Sequence, residues 1–168
     1  NGVPWDAVEL PSQFNENYAW QNEVLQFLSS NVNTHKPLPK EKLEALLAAK
    51  NFQSAMAMLR QIEFALFDFR IHLEYDKAKG GRIFEILNEV KKEVAVTPQF
   101  KDARFPNNFT HIFAGGYAAG YYSYKWAEVL AADAFSLFEE KGIFNREVGK
   151  SFEELILACG GASDPMKN

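Results

Sequence analysis

A single cysteine, Cys159, stands in the 168 residues. One thiol excludes an internal disulfide framework and any cysteine-cluster metal site, and such sparse use agrees with a reducing, cytoplasmic setting. No apolar run approaches the roughly 20 residues that a membrane-spanning helix needs. No sign of charge dominates either. Lys and Arg number 18 against 22 Asp and Glu, for a net charge of −4 and a pI near 5.5. That balance excludes a bulk attraction for nucleic acid or anionic lipid. Histidine is scarce: His35, His72 and His111 form no i, i+4 pair, and no His-Glu-x-x-His occurs, so the chain has no complete local zinc site of that kind. The pairs Gly80-Gly81 and Gly160-Gly161 lack the third glycine or the Lys-Ser/Thr of a phosphate cradle. No alternating strand pattern, repeat or low-complexity tract is present.

What remains reads as an all-α chain. Apolar residues make up 47% and charged residues 24%, which is a globular composition. Over 6–30, Asp6 and Glu9 are spaced as a capping box. Pro11 predicts a kink near the first turn, and Phe14, Tyr18, Leu25 and Leu28 follow at helical spacing. A loop spans 31–38, and Pro39 opens a helix that reaches Lys50. Ala55, Leu59, Ile62, Leu66, Phe69 and Leu73 alternate steps of four and three, which predicts an amphipathic helix over about 52–75 with that stripe inward. A further helix runs from Ile83 to near Val94. Residues 97–110 read as a long loop. Trp126, Leu130, Ala134 and Leu137 predict a helix stopped by Gly142, and a last helix covers about 146–158. Both ends read as cuts: dense apolar text begins within a few residues of Asn1, and a helix-start signal at Ser163-Asp164-Pro165 is followed by almost nothing.

Aromatics are the unusual abundance. Four of the six tyrosines fall within residues 117–124, behind Gly115, Gly116 and Gly120. In a helix, Tyr117, Tyr121 and Tyr124 share one face, and Glu128 extends the stripe. Phenols beside a glycine turn suit a surface that closes over a polar ligand, and phenol hydroxyls can donate to a developing oxyanion. The same pattern also describes a buried helix whose hydroxyls find internal partners, and the residues alone leave both readings open. His111, just ahead of the glycine turn, is the histidine best placed for chemistry. His72, at the end of an apolar stripe, reads as structural. Cys159 has no nearby base to make it a nucleophile.

Val8-Glu9-Leu10-Pro11-Ser12-Gln13, Glu16-Asn17 and the run from His111 to Phe135 resemble the thimet oligopeptidase and oligopeptidase A family of zinc metallopeptidases. Phe64 to Arg70 and Gly160 to Asp164 are similar too, with Tyr18 departing from the expected tryptophan. The resemblance implies that residues 1–168 are one C-terminal part of a largely helical catalytic domain, truncated at both ends. It further implies a cytoplasmic parent that hydrolyses internal bonds of short peptides by zinc-activated water. In that family the His-Glu-x-x-His helix lies upstream and supplies two zinc ligands and the base, so Glu9 matches the third ligand. Tyr121 and Tyr124 match the oxyanion-stabilising tyrosines, and His111, Gly115, Gly116 and Tyr117 match the substrate-contacting loop. The isolated chain is then expected to bind no catalytic zinc and to cleave nothing. Its partners would be short peptides and the rest of the parent polypeptide, with no nucleic acid and no membrane. The alternative of a different class is a non-catalytic helical module that binds peptides or another protein without a metal.

Overall fold

The computed structural model describes residues 2–98 and 100–167. Among the described residues it is helical with no strand, as the composition and periodicity predict. The helices are α1 (Leu10–Tyr18), α2 (Asn22–Leu28), α3 (Lys40–Ala49), α4 (Ser54–Leu73), α5 (Ile83–Val94), α6 (Phe105–Asn108), α7 (Thr110–Phe113), α8 (Ser123–Lys141) and α9 (Arg146–Phe152). The chain divides into two units, one of residues 1–52 with 126–168 and one of residues 53–125.

The first unit is organised around an aromatic core. Leu10 and Phe14 from α1, Ala131, Phe135 and Phe138 from α8, and Val148 from α9 are buried together. Phe14 is the hub. Its ring stacks on Phe152 at 3.9 Å and meets Tyr18, Phe135 and Phe138 edge-on at 5.3–5.8 Å; such edge-to-face pairs add to simple burial. The expected stop of α8 is present: Gly142 adopts φ +114° and its N–H donates to the Phe138 carbonyl at 2.8 Å. Asn145 then caps α9, its side-chain oxygen accepting from the Glu147 and Val148 N–H groups.

Three expectations in this unit are corrected. Residues 6–30, read at helical spacing with a kink at Pro11, form instead a 3₁₀ turn (Trp5–Ala7) followed by α1 and α2. The Asp6–Glu9 capping box is not formed, because Pro4 and Glu9 are the residues that precede the two helical starts and neither makes a side-chain capping bond. Pro11 falls in the first turn of α1, where a missing N–H costs nothing, so it opens the helix and does not kink it. At the far end α9 gives way after Phe152 to a wider π turn, with the Ala158 N–H reaching back to Glu153 O at 2.7 Å.

The second unit pairs α4 with α5. Phe67 and Ile71 of α4 pack on Ile86, Leu87 and Val90 of α5, and Phe109, Ile112 and Tyr121 complete the core. The buried face of α4 carries Glu63, Phe67, Asp68 and Ile71. It is not the apolar stripe read from periodicity, which leaves Leu73 at 84% exposure and Ile62 and Phe69 in solvent. The helix is apolar on more than one side, and the covered side includes two acids that a hydropathy pattern places outside. Part of the expected loop over 97–110 folds as α6, begun by Pro106 in its first turn, and α7 follows at once.

Arg70 ties the two long helices together across their outer edge. Its guanidinium contacts Glu74 at 2.6 Å, Glu89 at 2.5 Å and Glu93 at 3.6 Å, and Arg82 adds Glu85 at 2.7 Å. Hydrogen bonding from Arg70 holds the Glu74 carboxyl below its usual range, and Arg82 does the same for Glu85.

Two outcomes follow from this packing. Phe14→Ala should lower unfolding free energy by about 3–5 kcal/mol, read as the denaturant midpoint; an unmoved midpoint would show that the first core does not depend on that ring. Arg70→Met should lower the melting temperature at low salt, with much of the loss erased in high salt. Because the bond from Arg70 depresses the Glu74 carboxyl in the folded state, the difference between the two proteins should hold above about pH 4.3, the ordinary glutamate value. It should shrink as pH falls below that through the lowered folded value.

Candidate functional site

The glycine–tyrosine segment is built by its backbone. After α7, the N–H groups of Ala114 and Gly115 both donate to Thr110 O at 2.7 Å. That closure brings residue 115 so near the preceding turn that a Cβ there would stand 3.0 Å from both Cα and O of His111. Gly116 takes φ +83°, a left-handed conformation that glycine adopts freely. The Tyr117 N–H then returns to His111 O at 2.9 Å. The chain continues through turns to α8, which begins at Ser123.

Tyr117, Tyr121 and Tyr124 therefore do not share a helical face, because residues 117–122 are not helical. The physical cause lies at Ala119, whose φ is +53°, and in the nearby N–H groups. The N–H groups of Ala119 and Tyr121 leave the chain's own carbonyls and donate to the Asp68 carboxylate, each at 2.9 Å. The three rings nevertheless converge. Tyr117 stacks on Tyr124 with centroids 5.1 Å apart and planes at 16°, and Tyr121 lies 5.0 Å from Tyr124. The exposed His111 imidazole meets all three edge-on, at 5.9 Å from Tyr117, 5.7 Å from Tyr121 and 6.0 Å from Tyr124. One imidazole and three phenols thus form a single cluster beside the exposed Gly115-Gly116 turn. Tertiary contacts gather the residues that the sequence singled out, by a route other than helical periodicity.

The phenols differ in their surroundings. Tyr121 is 8% exposed and its hydroxyl donates to Gln61 Oε1 at 3.0 Å. Burial pushes its pKa up, the neighbouring Tyr124 adds to the rise, and Arg60 opposes it; the group stays a protonated donor at neutral pH. Tyr117 and Tyr124 are half-buried. A cluster of this kind offers hydroxyl donors and an imidazole to the carbonyl and amide groups of a bound chain.

Glu9 belongs to the first unit, partly buried at the start of α1. The Ser12 hydroxyl donates to its Oε2 at 2.7 Å and to its main-chain oxygen at 2.9 Å, which fixes one carboxylate oxygen. Among the described residues no three histidine, cysteine, aspartate or glutamate side chains gather to hold a metal ion. One carboxylate does not make a catalytic zinc site, which takes three protein ligands, so the donors present in this chain do not by themselves fit the ion.

Sequence reasoning passed over Asp68 and Gln61; His72, read from the sequence as structural, is the partner of Asp68. A usable signal was there. An acid flanked by Phe67 and Phe69 in an apolar helix must find donors if it is buried, and His72 stands one turn on. The Nδ1 of His72 lies 3.0 Å from Asp68 Oδ1 and 2.8 Å from Asp68 O. What the text could not supply was the identity of the distant donors, 51 and 53 residues away.

Comparison with known proteins places this chain in a family. The chain is 61% identical to oligopeptidase A of Salmonella typhimurium over 167 residues, covering 99% of this chain and 25% of that protein. It is 62% identical to oligopeptidase A of Escherichia coli over 166 residues, covering 99% of this chain and 24% of that one. The probable cytosolic oligopeptidase A of Arabidopsis thaliana is 44% identical over 169 residues, at 98% and 24% coverage. The chain thus spans about a quarter of the length of these curated relatives. The model of peptidase family M3 matches residues 1–168, and the chain belongs to that family.

Proposed function

We propose that this chain is the C-terminal catalytic-domain segment of a zinc-dependent oligopeptidase that hydrolyses internal bonds of short peptides in the cytoplasm. The observation that carries the reading is the cluster itself: His111 ringed by Tyr117, Tyr121 and Tyr124 within about 6 Å, in a chain 61% and 62% identical to two proteins named oligopeptidase A. In this reading His111, Tyr117 and the Gly115-Gly116 turn hold the peptide. Tyr124 donates its phenol proton in a hydrogen bond to the oxygen that gains charge as the scissile carbonyl is attacked. Tyr121 supports that ring, and donates to the same oxygen only by exchanging its bond to Gln61. A hydroxyl already in place acts without reorganisation when charge develops, and this accounts for the size of such contributions.

Zinc enters as the cofactor of the parent, where it would supply the polarised water. Glu9 would be one of its ligands, held in orientation by Ser12, and the rest of the parent polypeptide would supply the others and the base. These 168 residues alone are therefore expected to be inactive on peptides. Short peptides are the partners this surface suits; nothing in its charge favours nucleic acid, and among the described residues no helix is long and apolar enough to cross a membrane.

Tyr124→Phe in the full-length peptidase should lower kcat by about 10²–10³-fold and leave KM nearly unchanged, because the hydroxyl acts in the transition state. Equal kcat for the two proteins removes the role. Glu9→Ala should strip the metal, measured as zinc per chain after dialysis; a variant that keeps one ion per chain shows that the ligand lies elsewhere.

A further inference from the structure

Asp68 is 1% exposed, yet it sits in the middle of α4 with aromatic residues on both sides. Two main-chain N–H donors converge on its carboxylate, and the His72 Nδ1, which bonds the Asp68 carbonyl at 2.8 Å, lies beside it. Oδ1 accepts from the Ala119 N–H at 2.9 Å and faces His72 Nδ1 at 3.0 Å, and Oδ2 accepts from the Tyr121 N–H at 2.9 Å. An ionised carboxylate is acceptor-only, so this set of donors matches it. The two amides belong to the turn in which Ala119 holds a left-handed φ of +53°, a conformation that an alanine adopts only against a cost. Nothing else in the turn supplies those two amides with an acceptor, since its own bonds run Gly120 to Tyr117 and Ser123 to Gly120.

Tyr121 is moored at both ends to the same helix. Its amide is on Asp68 and its hydroxyl on Gln61, seven residues apart and so on one face, two turns or roughly 10.5 Å along α4. The ring is thereby laid along the helix, 5.0 Å from Tyr124 and 5.7 Å from His111. We propose that Asp68 is a positioning residue: its carboxylate sets the backbone path of residues 117–121 and, through Tyr121, the placement of the Tyr124 phenol and the His111 imidazole. His72 completes the device, its Nδ1 3.0 Å from Asp68 Oδ1 and its own side chain 34% exposed. The functional part of this inference rests on the oligopeptidase reading, whereas the clamp itself rests on the hydrogen bonds alone.

The test uses the full-length, zinc-loaded protein. Asp68→Asn keeps the shape of the side chain but turns one acceptor into a donor that faces an N–H. Hydrogen exchange over residues 117–122 should then accelerate at least about tenfold while exchange at Val90 in the core stays as it was. In peptide cleavage, kcat should fall by about 10²-fold, the size of effect that a misplaced reacting group produces, by a larger factor than KM rises, with zinc content little changed. His72→Leu should produce the same pattern at smaller amplitude. A purely structural role would lower the melting temperature without separating kcat from KM. Unchanged exchange over 117–122, or accelerated exchange with wild-type kcat, overturns the proposal. Should Asp68→Asn fail to fold, the same two readouts on His72→Leu decide it. If the wild-type protein cleaves no peptide, the oligopeptidase reading is what fails, and exchange over 117–122 still decides the clamp.

Discussion

A carboxylate taken out of water without donors destabilises a protein by several kcal/mol, so Asp68 dictates what must surround it. It sits on the covered face of α4 and collects two main-chain N–H groups and an imidazole. The two main-chain bonds reach across more than fifty residues and pin the turn that carries the tyrosines to the helix that carries the core. With the turn pinned, Tyr121 becomes part of the hydrophobic core of residues 53–125 while its backbone remains part of the site. Core and site in this unit are therefore one construction: the ring that packs on Phe64 and Phe109 also faces His111 and Tyr124.

Aromatic contacts carry much of the rest, and they do so differently in the two units. Around Phe14 the rings enclose one another and form a closed core. Around His111 they stop at the surface, with a half-buried phenol pair and an exposed imidazole. Similar ring separations thus serve stability in one place and, in the function proposed, ligand contact in the other. The difference lies in exposure and in the polar atoms. Phe14 and its partners bring almost none, whereas the second cluster brings phenol hydroxyls and an imidazole to the surface, groups of the kind that hydrogen-bond a peptide.

The fold was largely legible because helix signals are local. Gly142 ends α8 and Pro39 immediately precedes α3 for reasons contained in one residue's backbone preferences. Where reading failed, a longer-range effect had intervened. The stripe from Ala55 to Leu73 has good periodicity, yet α4 turns its Glu63–Phe67–Asp68–Ile71 face inward, where Asp68 meets main-chain donors that only folding brings to it. The tyrosine row was found through a helical argument that does not hold over 117–122. It survives because glycine turns and the Asp68 bonds bring the same rings together by another path.

Sequence alone determined the all-helical class, most of the helix ends, the membership in peptidase family M3 and the segment in which a site would lie. Each of these depends on residue type and near-neighbour spacing. Tertiary structure decided which face of α4 is covered, where the 117–121 backbone runs and which phenol is buried against Gln61 and which reaches the surface. Those outcomes turn on hydrogen bonds between residues far apart in the chain, whose donors and acceptors carry no mark of their partners until the fold brings them within 3 Å.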